Sequence, residues 1–214
     1  MTTERIAVFG AGGFAREVAW LAEVCGYRVS CFVDDDPTKI GRVLNELPIL
    51  SLDECATKFP DVRVSAGIGS PQSRKAIMDR VAGRGLEICT LIHPRVERSR
   101  WITFGAGVVI CAGNILTTNI AVGNHVQINL DCTVGHDVQL ADYATLAPGV
   151  HVSGFVHIGY GAYVGTGATI INGTRDQPLT IGAGAVVGAG ACVTRSVDEN
   201  VTVVGVPAKP VGRR

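Results

Sequence analysis

The sequence predicts an α/β half-domain of the Rossmann type followed by a parallel β-helix built from six-residue repeats. Two observations lead to this prediction: a glycine-rich turn joins a strand-like segment to a helix-like one near residue 10, and an apolar residue stands at every sixth position from Phe104 onward. A third is the distribution of glycine, since 18 of the 27 glycines follow residue 96. We therefore expect domains at 1–95 and 96–200, with a C-terminal tail at 201–214.

The composition excludes several classes of protein. The 214 residues carry 19 Lys and Arg against 19 Asp and Glu, so the chain lacks the excess positive charge that binds nucleic acids or anionic membranes. No run of about 18 apolar residues could span a bilayer, and the apolar start is too short for a secretory signal. Seven cysteines without a C-x-x-C pair are typical of buried thiols in a reducing compartment. We expect a cytoplasmic protein without a metal site.

The first 95 residues are expected to form three βα units. The first and third strand-like runs exit at glycines and lead to helix-like segments, and the second ends at Asp34-Asp35-Asp36-Pro37. The candidate strands are Ile6–Phe9, Arg28–Val33 and Val62–Gly69, and the candidate helices begin after Gly12 and at Pro71, the second ending at Ala82. Three such units make half of a doubly wound domain.

The turn after the first strand reads Gly10-Ala-Gly12-Gly13-Phe-Ala15, a G-x-G-x-x-A pattern. Its glycines allow backbone N–H groups at the start of the helix to approach a phosphate or a ribose. Asp34 follows Gly10 by 24 residues, near the usual spacing for an acid that hydrogen-bonds a ribose or a base edge. The combination favours nucleotide binding over a tight βα turn without a ligand. An NAD-dependent dehydrogenase does not fit, because the chain has no room for a second nucleotide-binding half and a catalytic domain.

The second part of the chain has a six-residue period. Every sixth residue from Phe104 to Ile170 is apolar, and after five extra residues the same phase resumes. These positions are Phe104, Ile110, Leu116, Val122, Ile128, Val134, Leu140, Leu146, Val152, Ile158, Val164, Ile170, Ile181, Val187 and Val193. A hexad with one large inward residue and a glycine at the bend suits one face of a triangular coil, so 18 residues make one turn and fifteen hexads make five. Collagen is excluded because glycine does not stand at every third position.

Several motifs occur together along the chain. They are the GAGGFARE start, Asp34-Asp35, Ile68-Gly69-Ser70, Leu91-Ile-His-Pro94, Val134-Gly-His136-Asp137 and the ending Val204-Gly-Val-Pro-Ala-Lys209. In this order they resemble the hexapeptide-repeat sugar acyltransferases. The similarity is to the group that contains sialic-acid O-acetyltransferases and the bacillosamine-pathway and perosamine-type nucleotide-sugar N-acetyltransferases. The resemblance implies a left-handed parallel β-helix, a homotrimer, and acetyl-coenzyme A bound in clefts between neighbouring coils.

Acyl transfer requires a base that works near neutral pH, and histidine is the natural candidate. His136 differs from the other four histidines because Asp137 follows it and because Gly154 stands 18 residues on, one coil away on the same face. A glycine there leaves space for a thioester and exposes a backbone N–H to its carbonyl oxygen. The family's catalytic pair falls on His136 and Asp137 by resemblance. The other four, expected to be surface or turn residues, are His93, His125, His151 and His157.

The resemblance also assigns the ligand-binding residues. Some relatives have a second histidine that contacts acetyl-CoA, and this chain has Thr145 at that position. The residues implied for acetyl-CoA are Thr145, Gly154, Thr166 and Ala189. The residues implied for the nucleotide sugar are Gly12, Gly13, Phe14, Asp34, Asp35 and Gly69, with Asn129 helping to orient the acceptor.

The resulting hypothesis is an acetyl-CoA-dependent transfer of an acetyl group to the 4-amino group of a nucleotide-linked 4-amino-4,6-dideoxy sugar. O-acetylation of a sugar such as sialic acid is the alternative within the family, and a non-catalytic β-helical scaffold is the alternative outside it. The segment 172–178, which carries Arg175, is either a solvated bulge or a contact for coenzyme phosphates. Lys209 has the same two interpretations.

Overall fold

The chain divides into two compact units between Pro94 and Arg95 in a computed structural model that describes residues 4–212. The elements of the first unit are β1 (Arg5–Phe9), α1 (Gly13–Val24), β2 (Arg28–Val33), β3 (Val43–Leu44), β4 (Leu47–Leu50), α2 (Leu52–Lys58), β5 (Arg63–Ala66), α3 (Pro71–Gly83) and β6 (Leu91–Ile92). Five of the strands form one sheet in the order β3-β4-β2-β1-β5, parallel except for the β3–β4 pair. The predicted strands and both predicted helices are present, and β3, β4 and α2 are additional.

Two glycines bring the carboxyl ends of β1 and β5 close to the start of α1. Gly10 has φ +113°, and a Cβ there would lie 2.8 Å from the Gly67 carbonyl oxygen. A Cβ on Gly67 would lie 2.6 Å from the Cα of Ala15. Only glycine tolerates these approaches, so the turn after β1 and the exit from β5 are held side by side.

The second unit is a parallel coil of short strands. They are β7 (Glu97–Arg98), β8 (Ile102–Phe104), β9 (Val109–Ile110), β10 (Ile115–Leu116), β11 (Ile120–Val122), β12 (Gln127–Ile128), β13 (Thr133–Val134), β14 (Gln139–Leu140), β15 (Thr145–Leu146), β16 (His151–Val152), β17 (Val156–Ile158), β18 (Tyr163–Val164), β19 (Thr169–Ile170), β20 (Leu179–Ile181), β21 (Val186–Val187), β22 (Cys192–Val193), β23 (Thr202–Val204) and β24 (Lys209–Pro210). Every third strand up to β22 pairs in parallel, which produces the ladders β7-β10-β13-β16-β19-β22, β8-β11-β14-β17-β20 and β9-β12-β15-β18-β21. Strand β23 extends the third ladder by pairing in parallel with β21. These ladders are the three faces of a triangular prism.

The residues at the six-residue period fill the axis of this prism. All of them except Phe104, which is half-buried, are at most 4 % exposed. The register between successive coils is 18 residues, as in the pairing of Thr133 with His151 and of Val134 with Val152. The predicted period therefore corresponds to the burial of one large side chain per face.

Three corners join the faces, and the same backbone geometry recurs in each. Corner I contains residues 123–125 and 141–143, corner II contains 129–131, 147–149, 165–167 and 188–190, and corner III contains 117–119, 135–137 and 153–155. The third residue of each of these turns has φ between +54° and +70°. The first residue of corner III at 135 is glycine because a Cβ there would lie 2.7 Å from the backbone nitrogen of Gly154 in the next coil. These close approaches account for much of the glycine excess after residue 96.

No helix within residues 4–212 has the length and apolar character needed to cross a membrane.

Candidate active site

The histidine and aspartate singled out in the sequence lie on corner III. The Nδ1 atom of His136 is 2.8 Å from Oδ2 of Asp137. A carboxylate can only accept, so Nδ1 donates in this contact, and in the neutral imidazole Nε2 then keeps its lone pair. The imidazole is about half exposed, with 53 % of the side chain accessible. An accessible, oriented imidazole of this tautomer can accept a proton from an incoming group.

The backbone of the corner sets the position of Asp137. This residue has φ +58°, a left-handed conformation that aspartate tolerates better than most side chains. Its N–H donates to the carbonyl oxygen of Thr118 in the preceding coil over 3.1 Å. The Nδ2 of Asn119 lies 3.5 Å from Oδ1, the carboxylate oxygen that does not face the imidazole. The preceding coil therefore contacts both the backbone and the carboxylate of Asp137.

The next coil supplies two contacts to the imidazole. The ring of Phe155 meets it edge-on, with centroids 5.0 Å apart and an interplanar angle of 86°. A Cβ on Gly154 would lie 2.6 Å from both Cε1 and Nε2 of His136. The space left by the missing side chain of Gly154 is thus occupied by the imidazole itself, a role that the sequence did not suggest.

The backbone N–H of Gly154 makes no hydrogen bond within residues 4–212. Its carbonyl oxygen accepts from Gly173 N at 3.0 Å, and the neighbouring Phe155 N donates to the carbonyl oxygen of His136 at 3.0 Å. Corner III thus places a free N–H donor beside an imidazole. A base and an oxyanion donor are the two groups that acyl transfer needs.

The other residues expected to bind acetyl-CoA lie elsewhere on the prism. Thr166 and Ala189 are exposed on corner II, and Thr145 is buried in β15 on the face between corners I and II. A single chain does not bring these residues together with His136, because a full face of the prism separates corner II from corner III.

Asn129 also lies on corner II, at the opposite end of β13 from His136. Its side chain is 8 % exposed, and its Nδ2 donates to the carbonyl oxygen of Leu146 at 2.9 Å. The amide therefore braces the next coil. Its predicted contact with the acceptor is not brought about within one chain.

The residues expected to bind the nucleotide lie at the carboxyl edge of the sheet in the first unit. Gly12 and Gly13 are exposed at the start of α1, whose first residue follows a cap without a side-chain hydrogen bond. Phe14 is half-buried in the first turn of α1, and Gly69 is half-buried in the segment that follows β5. A Cβ on Gly12 or Gly69 would meet nothing within 4 Å. The helix start therefore presents N–H groups to open space, as an anion site requires.

The two acidic residues of this edge have partners within the chain. Asp34 accepts from the Ala11 backbone N–H at 2.9 Å and from Lys39 Nζ at 3.1 Å, so it fixes the glycine turn. Asp35 forms a two-point pair with Arg80, at 2.6 and 2.9 Å. Hydrogen bonding to that guanidinium holds the pKa of Asp35 below its usual value. Contact of either carboxylate with a nucleotide stays a prediction.

Asn119 and Phe155 are the residues at the site that the sequence did not identify. Asn119 precedes Asp137 by 18 residues, and Phe155 follows it by 18. The coil period could have identified both, since it places all three at the same point of one corner.

Among the described residues, no group of three or more His, Cys, Asp or Glu side chains is arranged to hold a metal ion.

Comparison with known proteins gives matches along the whole chain. Residues 5–81 match the family model described as the PglD N-terminal domain. The chain is 34 % identical over 214 residues to a GDP-perosamine N-acetyltransferase of Escherichia coli O157:H7, covering 96 % of each protein.

Two solved structures match with a TM-score of 0.89. WeeI from Acinetobacter baumannii AYE is 35 % identical, with 98 % of this chain and 100 % of that one covered. A histidine-to-asparagine mutant of perosamine N-acetyltransferase from Caulobacter crescentus, in complex with CoA and GDP-perosamine, is 29 % identical, with 100 % and 99 % covered. These matches confirm the predicted fold, a Rossmann-like domain followed by a left-handed β-helix.

Proposed function

Because the chain belongs to the perosamine-type nucleotide-sugar N-acetyltransferases of the hexapeptide-repeat family, we propose that it transfers an acetyl group from acetyl-CoA to the 4-amino group of a nucleotide-linked 4-amino-4,6-dideoxy sugar. The observation that carries this proposal is the oriented imidazole of His136, held by Asp137 at 2.8 Å beside the unpaired N–H of Gly154. Both groups needed for acyl transfer lie on one corner, so a scaffold that has lost catalysis does not explain the arrangement.

The reaction follows from these positions. The sugar amine attacks the carbonyl carbon of the thioester, and Nε2 of His136 takes the proton that the nitrogen loses as the C–N bond forms. The Gly154 N–H donates to the oxyanion of the tetrahedral intermediate. The intermediate then collapses, the C–S bond breaks, and the proton passes from His136 to the leaving sulfur of coenzyme A. Asp137 holds the imidazole in the reactive tautomer and stabilises it while it is charged.

The nucleotide part of the substrate is assigned to the first unit. The start of α1 at Gly12 and Gly13 offers N–H groups to a phosphate, and Phe14, Asp34, Asp35 and Gly69 surround that edge. A relative that holds both CoA and GDP-perosamine supports a nucleotide sugar as the acceptor. O-acetylation of a free sugar is the alternative that the assay below distinguishes.

We infer a homotrimer in which neighbouring subunits share each active site. The proposed base lies on corner III, whereas Thr166 and Ala189 are exposed on corner II of the same chain, one face away. A cyclic arrangement that places corner II of one subunit against corner III of the next would complete the cleft. A cytoplasmic location is also proposed, because all seven cysteines are free thiols.

The activity is tested with a panel of UDP-, GDP- and dTDP-linked 4-amino-4,6-dideoxy sugars and acetyl-CoA, by following thiol release. We expect turnover with one of these nucleotide-linked amino sugars and none with the corresponding 4-hydroxy sugar, because the amine is the stronger nucleophile. The product should be an amide that is stable to hydroxylamine. Turnover with free sialic acid and with none of the amino sugars would replace this proposal by O-acetylation.

The shared site is tested by mixing two inactive variants. His136→Ala removes the base on corner III, and Ala189→Trp fills the cleft on corner II, so neither variant alone should transfer acetyl groups. In randomly mixed trimers, about a quarter of the clefts combine an intact corner III with an intact corner II, and activity should return to about that fraction of wild type. Light scattering first establishes that each variant assembles normally. No recovery in properly assembled mixtures would assign the whole site to one chain.

A further inference from the structure

The six-residue period is interrupted at a single point within the coil, between β19 and β20. The residues 171–178, called here the corner III loop, leave the prism at corner III, the corner that carries His136 and Gly154. The register on either side is unaffected, since Ile170 pairs with Val193 and Ile158 pairs with Ile181. The extra residues are therefore displayed on the proposed catalytic corner without disturbing the core.

The loop is fixed directly above Gly154. Its Gly173 N–H donates to the Gly154 carbonyl oxygen at 3.0 Å, and Leu179 N, just beyond the loop, donates to Phe155 O at 3.0 Å. Thr174 and Gln177 close the tip with two further hydrogen bonds of 3.0 Å. A Cβ on Gly173 would collide with the backbone of Phe155 and Leu179, so the loop is packed against the coil that contacts the imidazole. A fixed loop of this kind can position a side chain.

The tip of the loop carries Arg175, which is exposed and has no ion pair or hydrogen bond within the described residues. One coil further on, corner III carries a second exposed arginine, Arg195. Arg195 lies at the edge of a pocket of about 370 Å³ whose lining also includes Lys209. The two arginines therefore follow one another along corner III on the C-terminal side of His136, and Lys209 shares the pocket that Arg195 lines.

The corner III loop and Arg195 lie two and three coils away from the base along the corner. The corner III loop is two coils above His136, and with strands about 4.8 Å apart it stands about 10 Å along the axis from the imidazole. In acetyl-CoA the acetyl group and the phosphates lie at opposite ends of the pantetheine arm. If the thioester is at His136, the phosphates are therefore expected several coils away along the corner.

The resemblance assigns Thr166 and Ala189 of corner II to the coenzyme, and both follow His136 along the coil. Thr166 and the corner III loop flank the same strand, β19, while Ala189 and Arg195 flank β22. Thr166 thus lies at the level of Arg175 along the prism axis, and Ala189 lies at the level of Arg195. On the N-terminal side, Arg100 lies on corner III too, but its guanidinium stacks 4.7 Å from the ring of Trp101. Within residues 4–212, neither Arg175 nor Arg195 has an ion pair or a ring contact, so both guanidinium groups are open to a phosphate.

We propose that the corner III loop binds the phosphate end of acetyl-CoA, with Arg175 contacting a phosphate and Arg195 extending the contact toward the C-terminal pocket. This inference rests on the proposed acetyl-CoA-dependent function. It assigns to this loop a part in coenzyme binding, and it leaves the chemistry to His136. Guanidinium groups suit this part because they form paired hydrogen bonds with phosphate oxygens.

The test compares wild type with Arg175→Gln, using acetyl-CoA and S-acetyl-pantetheine, which lacks every phosphate. For Arg175→Gln we expect KM for acetyl-CoA to rise about tenfold, the loss of one charge-assisted hydrogen bond at an exposed site. The kcat and the KM for the nucleotide sugar should stay within twofold. With S-acetyl-pantetheine the two proteins should have the same KM. Arg175→Lys should recover part of the affinity, and Arg195→Gln should behave like Arg175→Gln.

Arg100→Gln is the matched control, because it removes an arginine from the same corner on the other side of His136, and its KM for acetyl-CoA should not change. A rise in the KM for the nucleotide sugar alone would assign Arg175 to the sugar's diphosphate and overturn the proposal. An equal rise with S-acetyl-pantetheine would make the loop a structural element and would also overturn it. Titration calorimetry with CoA itself keeps the test independent of turnover. If the wild-type protein binds CoA but acetylates no sugar, only the proposed function is contradicted. If Arg175→Gln binds CoA as tightly as wild type does, only the inference about the loop is contradicted.

Discussion

Replacement of His136 by alanine is expected to lower kcat about a thousandfold while the affinity for CoA changes little. The substitution removes the proposed base for the amine proton, and general-base catalysis contributes in this range. The side chain is about half exposed, so its loss leaves no cavity in the core and the thermal midpoint should stay near that of wild type. Steady-state kinetics with saturating nucleotide sugar, together with calorimetry for CoA, measures both quantities.

Asp137→Asn is the graded companion of this variant. An asparagine oxygen can still accept from Nδ1, but it no longer stabilises a charged imidazole, so kcat should fall by a smaller factor, about tenfold to a hundredfold. A His136→Ala enzyme that retains more than a third of the wild-type kcat would mean that another group takes the proton. In that case corner III would bind the substrates without performing the chemistry.

Gly154→Ala is expected to lower kcat about a hundredfold without removing any polar group. The new Cβ would lie 2.6 Å from Cε1 and Nε2 of His136, so the imidazole must leave its place against the coil and its hydrogen bond to Asp137 is strained. Because alanine keeps the backbone N–H, the proposed oxyanion donor is retained. The fall in kcat then measures the effect of displacing the His136 imidazole. The measurement is kcat for the two single variants and for the double variant Gly154→Ala with His136→Ala.

The double variant distinguishes positioning from general damage. If Gly154 acts through His136, the double variant should be no slower than His136→Ala alone, because the displaced ring is already absent. Independent losses that multiply would show that the methyl group obstructs the thioester instead. Gly83→Ala is the control for a glycine-to-alanine change at an uncrowded position, since a Cβ there meets nothing within 4 Å, and it should keep full activity.

The β-helix could be predicted from the sequence because one simple rule governs it. A large apolar residue must fill the axis once per face, so the period of six appears directly in the sequence, and residues such as Ile128 and Val164 are fully buried where that period places them. The corners follow from the same count, which is why an 18-residue spacing placed His136 and Gly154 on one corner. The segment with β3, β4 and α2 escaped prediction because two of its elements are very short. The capping box of Ser51 and Glu54 was the available signal for α2.

The directions of side chains could not be predicted from the sequence. Spacing put Gly154 near His136, but only the backbone geometry shows that the absent Cβ makes room for the imidazole. In the same way, the spacing of Asp34 from Gly10 predicts a nucleotide contact, which stays a prediction, and only the structure shows that the carboxylate accepts from the Ala11 N–H of the turn. Both outcomes depend on contacts between segments that are distant in sequence, and such contacts follow from the packed fold.

The stacking of the corners separates the length of the chain from the alignment of the coil. At 171–178 the chain leaves corner III and returns to it, and the strands before and after still pair as though nothing had been added. Lengthening a loop whose ends are already held costs little, about 0.6 kcal/mol for each doubling. A corner of this prism is therefore a place where a loop can add binding surface beside the reacting groups while the hydrophobic axis stays unchanged. Insertions at a corner can thus change the selectivity for either substrate without changes in the core.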